Sequence, residues 1–138
     1  MTKRGSRCIY QRLDIGIQEF VFLQSSHAAV DEFIDHLQWI KDNEPTYQSD
    51  QTTRVLMDTC ASGTLPMYYI AKRANEWTRQ QPAAMQARHT RTAQLYKASG
   101  AYVTIARNLG KVFSNKHFRQ EYFHDDREAA IAWLLKDD

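Results

Sequence analysis

The sequence predicts an α/β domain: a mixed, mostly parallel five-stranded sheet with four helices, in the order β-β-α-β-α-β-α-β-α. Three observations carry this. Short runs rich in aromatic and β-branched residues alternate with stretches of helical apolar spacing. The first two such runs are separated by little more than Asp14-Ile15-Gly16, which suits a hairpin turn. The 138 residues, 43% hydrophobic and 25% charged, fit one core and no second. Strands that alternate with helices imply right-handed parallel crossovers, with the first strand antiparallel at the start of the sheet and helices on more than one side.

Cys8 to Leu13 and Glu19 to Gln24 form the expected hairpin. Ser26 is the N-cap of a helix whose apolar residues Val30, Phe33, Ile34, Leu37 and Ile40 recur at helical spacing, ending near Asp42. Asn43 to Thr53 is polar and holds a proline, so it reads as a loop. Arg54 to Met57 reads as a buried strand, and Asp58 closes it. A second helix opens at Pro66, with Met67, Ile70, Ala71, Ala74 and Trp77 on one face; Pro82 lies just beyond it. Arg91 to Lys97 is the next strand, and Ser99-Gly100 leads into a third helix with Tyr102, Ile105, Ala106, Leu109, Val112 and Phe113 on one stripe. Phe118 to Phe123 is the last strand. Asp125 or Asp126 then caps a terminal helix that turns Ala130, Trp133 and Leu134 to the core.

Composition excludes several classes. Gly and Pro are scarce, so disordered and collagen-like chains do not fit, and no apolar run is long enough to span a bilayer. Residues 1–7 are basic and lead into no apolar signal region, which predicts a disordered tail on a single domain, 8–138, in the cytoplasm. Cys8 and Cys60 lie far apart, with no ligand spacing around them, so both read as free thiols rather than a disulfide or a zinc site. The net charge of +2 hides an asymmetry: Cys8 to Asp50 carries eight carboxylates against Arg12 and Lys41, while Gln51 to Gln120 carries eleven bases against Asp58 and Glu76. The basic half suits an anionic partner, with Lys72, Arg73, Arg79, Arg107 and Lys111 as the expected surface.

The C-terminal phrase EYFHDDREAAIAWLL resembles the ending of the SpoIIAA-like family of small bacterial proteins, related to STAS domains (sulfate transporter and anti-sigma-factor antagonist). The matching residues are Phe123, Asp125, Asp126, Glu128, Ala129, Ala132 or Ala130, Trp133 and Leu134, and the strand-Asp-loop-helix at VLMDTCASG agrees as well. The resemblance implies a STAS-like fold over nearly the whole chain and a non-enzymatic regulatory or binding role without a cofactor. The partner would be a protein, a regulator or a kinase-like one, and a homodimer is compatible with it. It also implies an alternative: a small carrier or sensor for a lipid or another apolar or anionic ligand, with a cavity lined by side chains such as Met67, Ile70, Ile105 and Leu109.

The loop Asp58-Thr59-Cys60-Ala61-Ser62-Gly63-Thr64 is the candidate site. In anti-sigma-factor antagonists a serine in a similarly placed loop accepts phosphate, which the resemblance carries to Ser62. Backbone N–H groups at a helix N-terminus favour an anion, so Asp58, Thr59, Cys60, Ser62, Gly63 and Thr64 form a candidate phosphoacceptor or anion-binding loop. The simpler reading is that Ser62 or Thr64 caps the following helix and that Asp58 satisfies donors in its own loop. Cys60 as a nucleophile would need a histidine beside it, which the sequence does not place. Glu32 and His36, at i and i+4, read with Asp31 and Asp35 as a solvated acidic face rather than a metal pair, and His124-Asp125-Asp126 as helix capping. Tyr68, Tyr69, Trp77, Tyr96 and Tyr102 among basic residues raise nucleic-acid stacking, but aromatics at helical spacing belong first to a core.

Overall fold

The computed structural model of the chain describes residues 3–44, 52–97, 104, 108 and 118–136. Two antiparallel strands, β1 (Cys8–Arg12) and β2 (Gln18–Phe22), are followed by α1 (His27–Asn43), β3 (Thr53–Asp58), α2 (Met67–Arg79), a one-turn α3 (Ala83–Gln86), β4 (Thr90–Tyr96), β5 (Phe118–His124) and α4 (Arg127–Leu134). The sheet runs β1-β2-β3-β4-β5, antiparallel only between β1 and β2. A mixed, mostly parallel five-stranded sheet with four helices therefore stands among the described residues. The expected helix from Tyr102 to Phe113 lies outside them except at Thr104 and Asn108, which are helical. Besides the helices the sequence announces, the chain forms α3, a single turn opened by Pro82 and too short to show a period in the sequence.

Alternation along the strands splits the core in two. Phe20, Phe22, Val55 and Met57 point to one face, where α1 lays Ala29, Val30, Phe33, Ile34 and Ile40 across them and α2 adds Ile70, Ala74 and Trp77 at the margin. Ile17, Leu56, Ala93 and Leu95 point to the other, under Ala130 and Leu134 of α4. The terminal helix is capped by Asp126, whose carboxylate accepts from the Ala129 N–H at 3.0 Å, while Asp125 takes a left-handed φ of 47° at the turn out of β5. Trp133 is only half-buried: it lies between Phe123 and the Arg91 guanidinium, 4.3 Å from its ring, so the full burial goes to Ala130 and Leu134.

The N-terminal segment departs from a disordered tail over residues 3–7. Arg4 pairs with Tyr10 by two backbone hydrogen bonds, of 2.9 and 2.8 Å, and its guanidinium lies 4.4 Å over the Trp39 ring. Glu32 and His36 are not solvated either. Glu32 accepts from the N–H groups of Ser6, Arg7 and Cys8, and His36, 2% exposed, donates Nε2–H to the Cys8 carbonyl at 2.6 Å. One turn of α1 thus holds down both the tail and the edge of β1.

Candidate binding site at the carboxyl end of the sheet

β3 ends at Asp58, and the chain then crosses the carboxyl end of the parallel strands to reach α2. Asp58 Oδ1 accepts from the Cys60 N–H at 2.9 Å, an Asx-type turn. Thr59 is 4% exposed and donates twice to the Leu95 carbonyl, from its N–H at 2.9 Å and from Oγ1 at 3.1 Å, which pins the loop to the end of β4. Gly63, at φ 73°, donates back to the Thr59 carbonyl at 3.0 Å, closing the turn in a conformation open to glycine. Ser25, after β2, donates its hydroxyl to the Thr64 carbonyl, and Leu65 drops into the core.

This geometry corrects the capping assignment. The Ser62 hydroxyl donates within the loop, to the Gly63 carbonyl at 3.1 Å with a longer approach of 3.4 Å to Thr59 O. Neither Ser62 nor Thr64 caps the helix: the N-cap is Pro66, which offers no side-chain hydrogen bond. A proline fixes the entry angle and forgoes a cap. Ser62 is half-buried, and the exposed positions of the loop are Ala61 and Thr64.

Cys60 is half-buried against Leu56 and its neighbours. Burial, with Asp58 and Asp125 nearby, pushes its thiol up to about 11 against a smaller opposing pull from Lys97. A nucleophilic cysteine needs the opposite environment, one that holds the thiolate. Asp125 is engaged with Lys97, 3.6 Å away. Among the described residues no group of three or more His, Cys, Asp or Glu side chains is placed to hold a metal ion.

The expected basic surface divides. Arg73 turns inward to α1, where its Nε lies 3.2 Å from Asp31 Oδ1; the same carboxylate accepts from Tyr69 OH at 2.5 Å. The Tyr69 hydrogen bond leads in holding the Asp31 carboxyl below its ordinary value, and the same bond pushes the Tyr69 phenol up. His27 stacks on Tyr69 with ring centroids 3.8 Å apart. Lys72 and Arg79 stay on the outward face of α2, where Lys72 approaches Glu76 at 4.0 Å. Arg107 and Lys111 lie outside the described residues, as do Ile105 and Leu109 of the expected ligand cavity; Met67 and Ile70 are half-buried.

One aromatic that the sequence reading assigns first to a core lies outside it. Tyr68, in the first turn of α2, is 80% exposed and heads an outward stripe that continues through Lys72, Glu76 and Arg79. Its signal was available: helical spacing puts Tyr68 opposite Ile70, Ala74 and Trp77. No residue of α2 is fully buried, so the helix rides on the surface beside the loop. Among the described residues, no helix is long and apolar enough to cross a membrane. No family model, curated protein or solved structure matches the chain.

Proposed function

We propose that the chain is a non-enzymatic binding domain of STAS-like, SpoIIAA-like type, working in the cytoplasm through protein–protein contact. The contact surface is the loop 59–64 together with the outward stripe of α2. The observation that carries this reading is Tyr68, a large aromatic 80% exposed beside a loop whose own polar groups are internally satisfied. Tyrosine supplies contact area with few torsions to freeze, and such side chains are enriched at interfaces. The absence of catalysis is supported by a Cys60 thiol pushed up to about 11 and by Asp58 spending its carboxylate on the adjoining turn. The loop then acts as a rigid shoulder, not as a phosphate acceptor.

The test is affinity capture from host extract with wild type, Tyr68→Ala, and Ser62→Ala against Ser62→Asp. Tyr68→Ala is expected to lose the captured partner while leaving thermal stability unchanged, and Ser62→Ala to retain it. An identical captured set for wild type and Tyr68→Ala sinks the surface; a partner lost with Ser62→Asp and kept with Ser62→Ala restores regulation at the loop.

A further inference from the structure

β1 is an edge of the sheet, and an open edge offers backbone donors and acceptors to another chain. Here the outward groups of Cys8 and Tyr10 are taken by their own chain. Tyr10 exchanges two hydrogen bonds with Arg4 in antiparallel register; Cys8 gives its N–H to Glu32 at 3.4 Å and its carbonyl to His36. The strap that does this turns back at Gly5, whose φ is +104°. A Cβ there would collide with the Cys8 carbonyl and lie 2.6 Å from Glu32 Oε1 and 2.7 Å from His36 Nε2. Glu32, accepting from the Ser6 and Arg7 N–H groups, is the latch, and Arg7 adds an ion pair at 3.7 Å. His36 Nδ1, buried with no partner among the described residues, makes this an incompletely satisfied closure.

We propose that the β1 edge is a pairing surface for a second copy of this chain, held shut by the Arg4–Arg7 strap, and that opening at Gly5 lets two copies exchange straps. The register makes the exchange symmetric. Straightened from residue 4 to residue 10, two antiparallel chains pair Arg4 with Tyr10 of the other copy and Tyr10 with its Arg4, so both backbone bonds of the closed form are remade between copies. The twofold then passes at Arg7. Two arginines facing one another there, together with loss of the Glu32 latch, favour the closed monomer as the resting state. Gly5 is the hinge, because only glycine takes the closed turn at little cost while any residue takes the extended one.

Size-exclusion chromatography with light scattering tests this on the full chain, using wild type, Gly5→Ala, Glu32→Ala, and each variant combined with Arg4→Pro. Gly5→Ala closes off the turn, and Glu32→Ala releases the latch; each is expected to dimerise at concentrations about tenfold or more below those wild type needs. Arg4→Pro removes the N–H that bonds the Tyr10 carbonyl in either form, so it is expected to return both variants to monomer. A folded, monomeric Gly5→Ala overturns the proposal, and should that variant fail to fold, a monomeric Glu32→Ala does so. A dimer that survives Arg4→Pro overturns it too, since it would use another surface.

Discussion

At Thr59 two donors of one residue converge on a single acceptor, the Leu95 carbonyl, in a buried position. Thr59→Val keeps the shape and the backbone bond and loses only the hydroxyl, so it is expected to cost about 1 kcal/mol in denaturant unfolding. Ser62→Ala, whose hydroxyl makes only bonds within the loop, is expected to change stability by about 0.5 kcal/mol or less in the same assay. Cys60 is expected to resist alkylation at pH 8 and to react faster as the pH climbs toward about 11, while Cys8, fully buried with its thiol pushed up by burial and by Glu32, stays unlabelled until the protein unfolds. Iodoacetamide kinetics followed by mass spectrometry distinguish the two. Burial alone would raise the Glu32 carboxyl, but the Ser6, Arg7 and Cys8 N–H groups outweigh it and leave it low. Its contribution to holding the strap is therefore complete above the unfolded glutamate value, about 4.3, and is lost as the pH falls through the lower folded value. Amide exchange at Ser6 and Arg7 is expected to lose protection in that acid window and not between pH 5 and 8. The loop was legible as punctuation, DTCASG after an apolar run, but the roles inside it were not. The acceptor that organises Thr59 sits 36 residues further on, and a hydrogen bond at that separation leaves no local trace.

Helical period was readable wherever a helix buries a full stripe. Ser26 caps α1 as expected, accepting from the Ala29 N–H at 3.1 Å, and the apolar spacing that follows marks the buried face. Trp133 faces the core under α4 as expected but packs at its margin, since at the end of a two-turn helix the spacing cannot tell the centre of a stripe from its rim. Leu134→Ala, at a fully buried position against Leu56 and Leu95, is expected to destabilise by about 2 to 5 kcal/mol, and Trp133→Ala by clearly less. Asp126→Ala, removing the cap of the same helix, is expected to cost about 1 kcal/mol. Thermal melts of the three variants order them. The terminal helix is also closed at its other end from a distance: Arg54 donates to the Leu134 and Lys136 carbonyls and Arg91 to that of Lys136, a use of two basic residues that no periodicity reveals. Cations placed at helix C-termini complement the exposed carbonyls there.

Across the whole molecule the acidic first half meets the basic second half at a half-exposed pair, and its buried acid Glu19 meets a base of the terminal helix. Asp31 takes Arg73, and Glu19, 2% exposed, takes Arg127 at 2.5 Å and Gln11 at 2.5 Å. Of the expected basic surface, Arg73 is thereby taken up in pairing between the two halves, while Lys72 and Arg79 stay outward. Arg127→Met is expected to cost about 1 to 3 kcal/mol by stranding a buried carboxylate, the arginine itself being 44% exposed, whereas Arg79→Met on the outward face of α2 is expected to stay within about 0.5 kcal/mol.

The strands of this sheet lie side by side in the order in which the chain runs. On the ribosome each strand that emerges finds its neighbour already in place, and no slot has to be kept open for a later insertion. The face under α1 and α2 can be sealed early, because its helices lie between the strands they cover. The opposite face waits. Among the described residues, Ile17, Leu56, Ala93 and Leu95 are shielded by Ala130 and Leu134 of α4, which follows every strand of the sheet. A nascent chain in which that helix has not yet formed would expose the apolar residues that Ala130 and Leu134 cover, the kind of surface that chaperones bind and that aggregates when they do not.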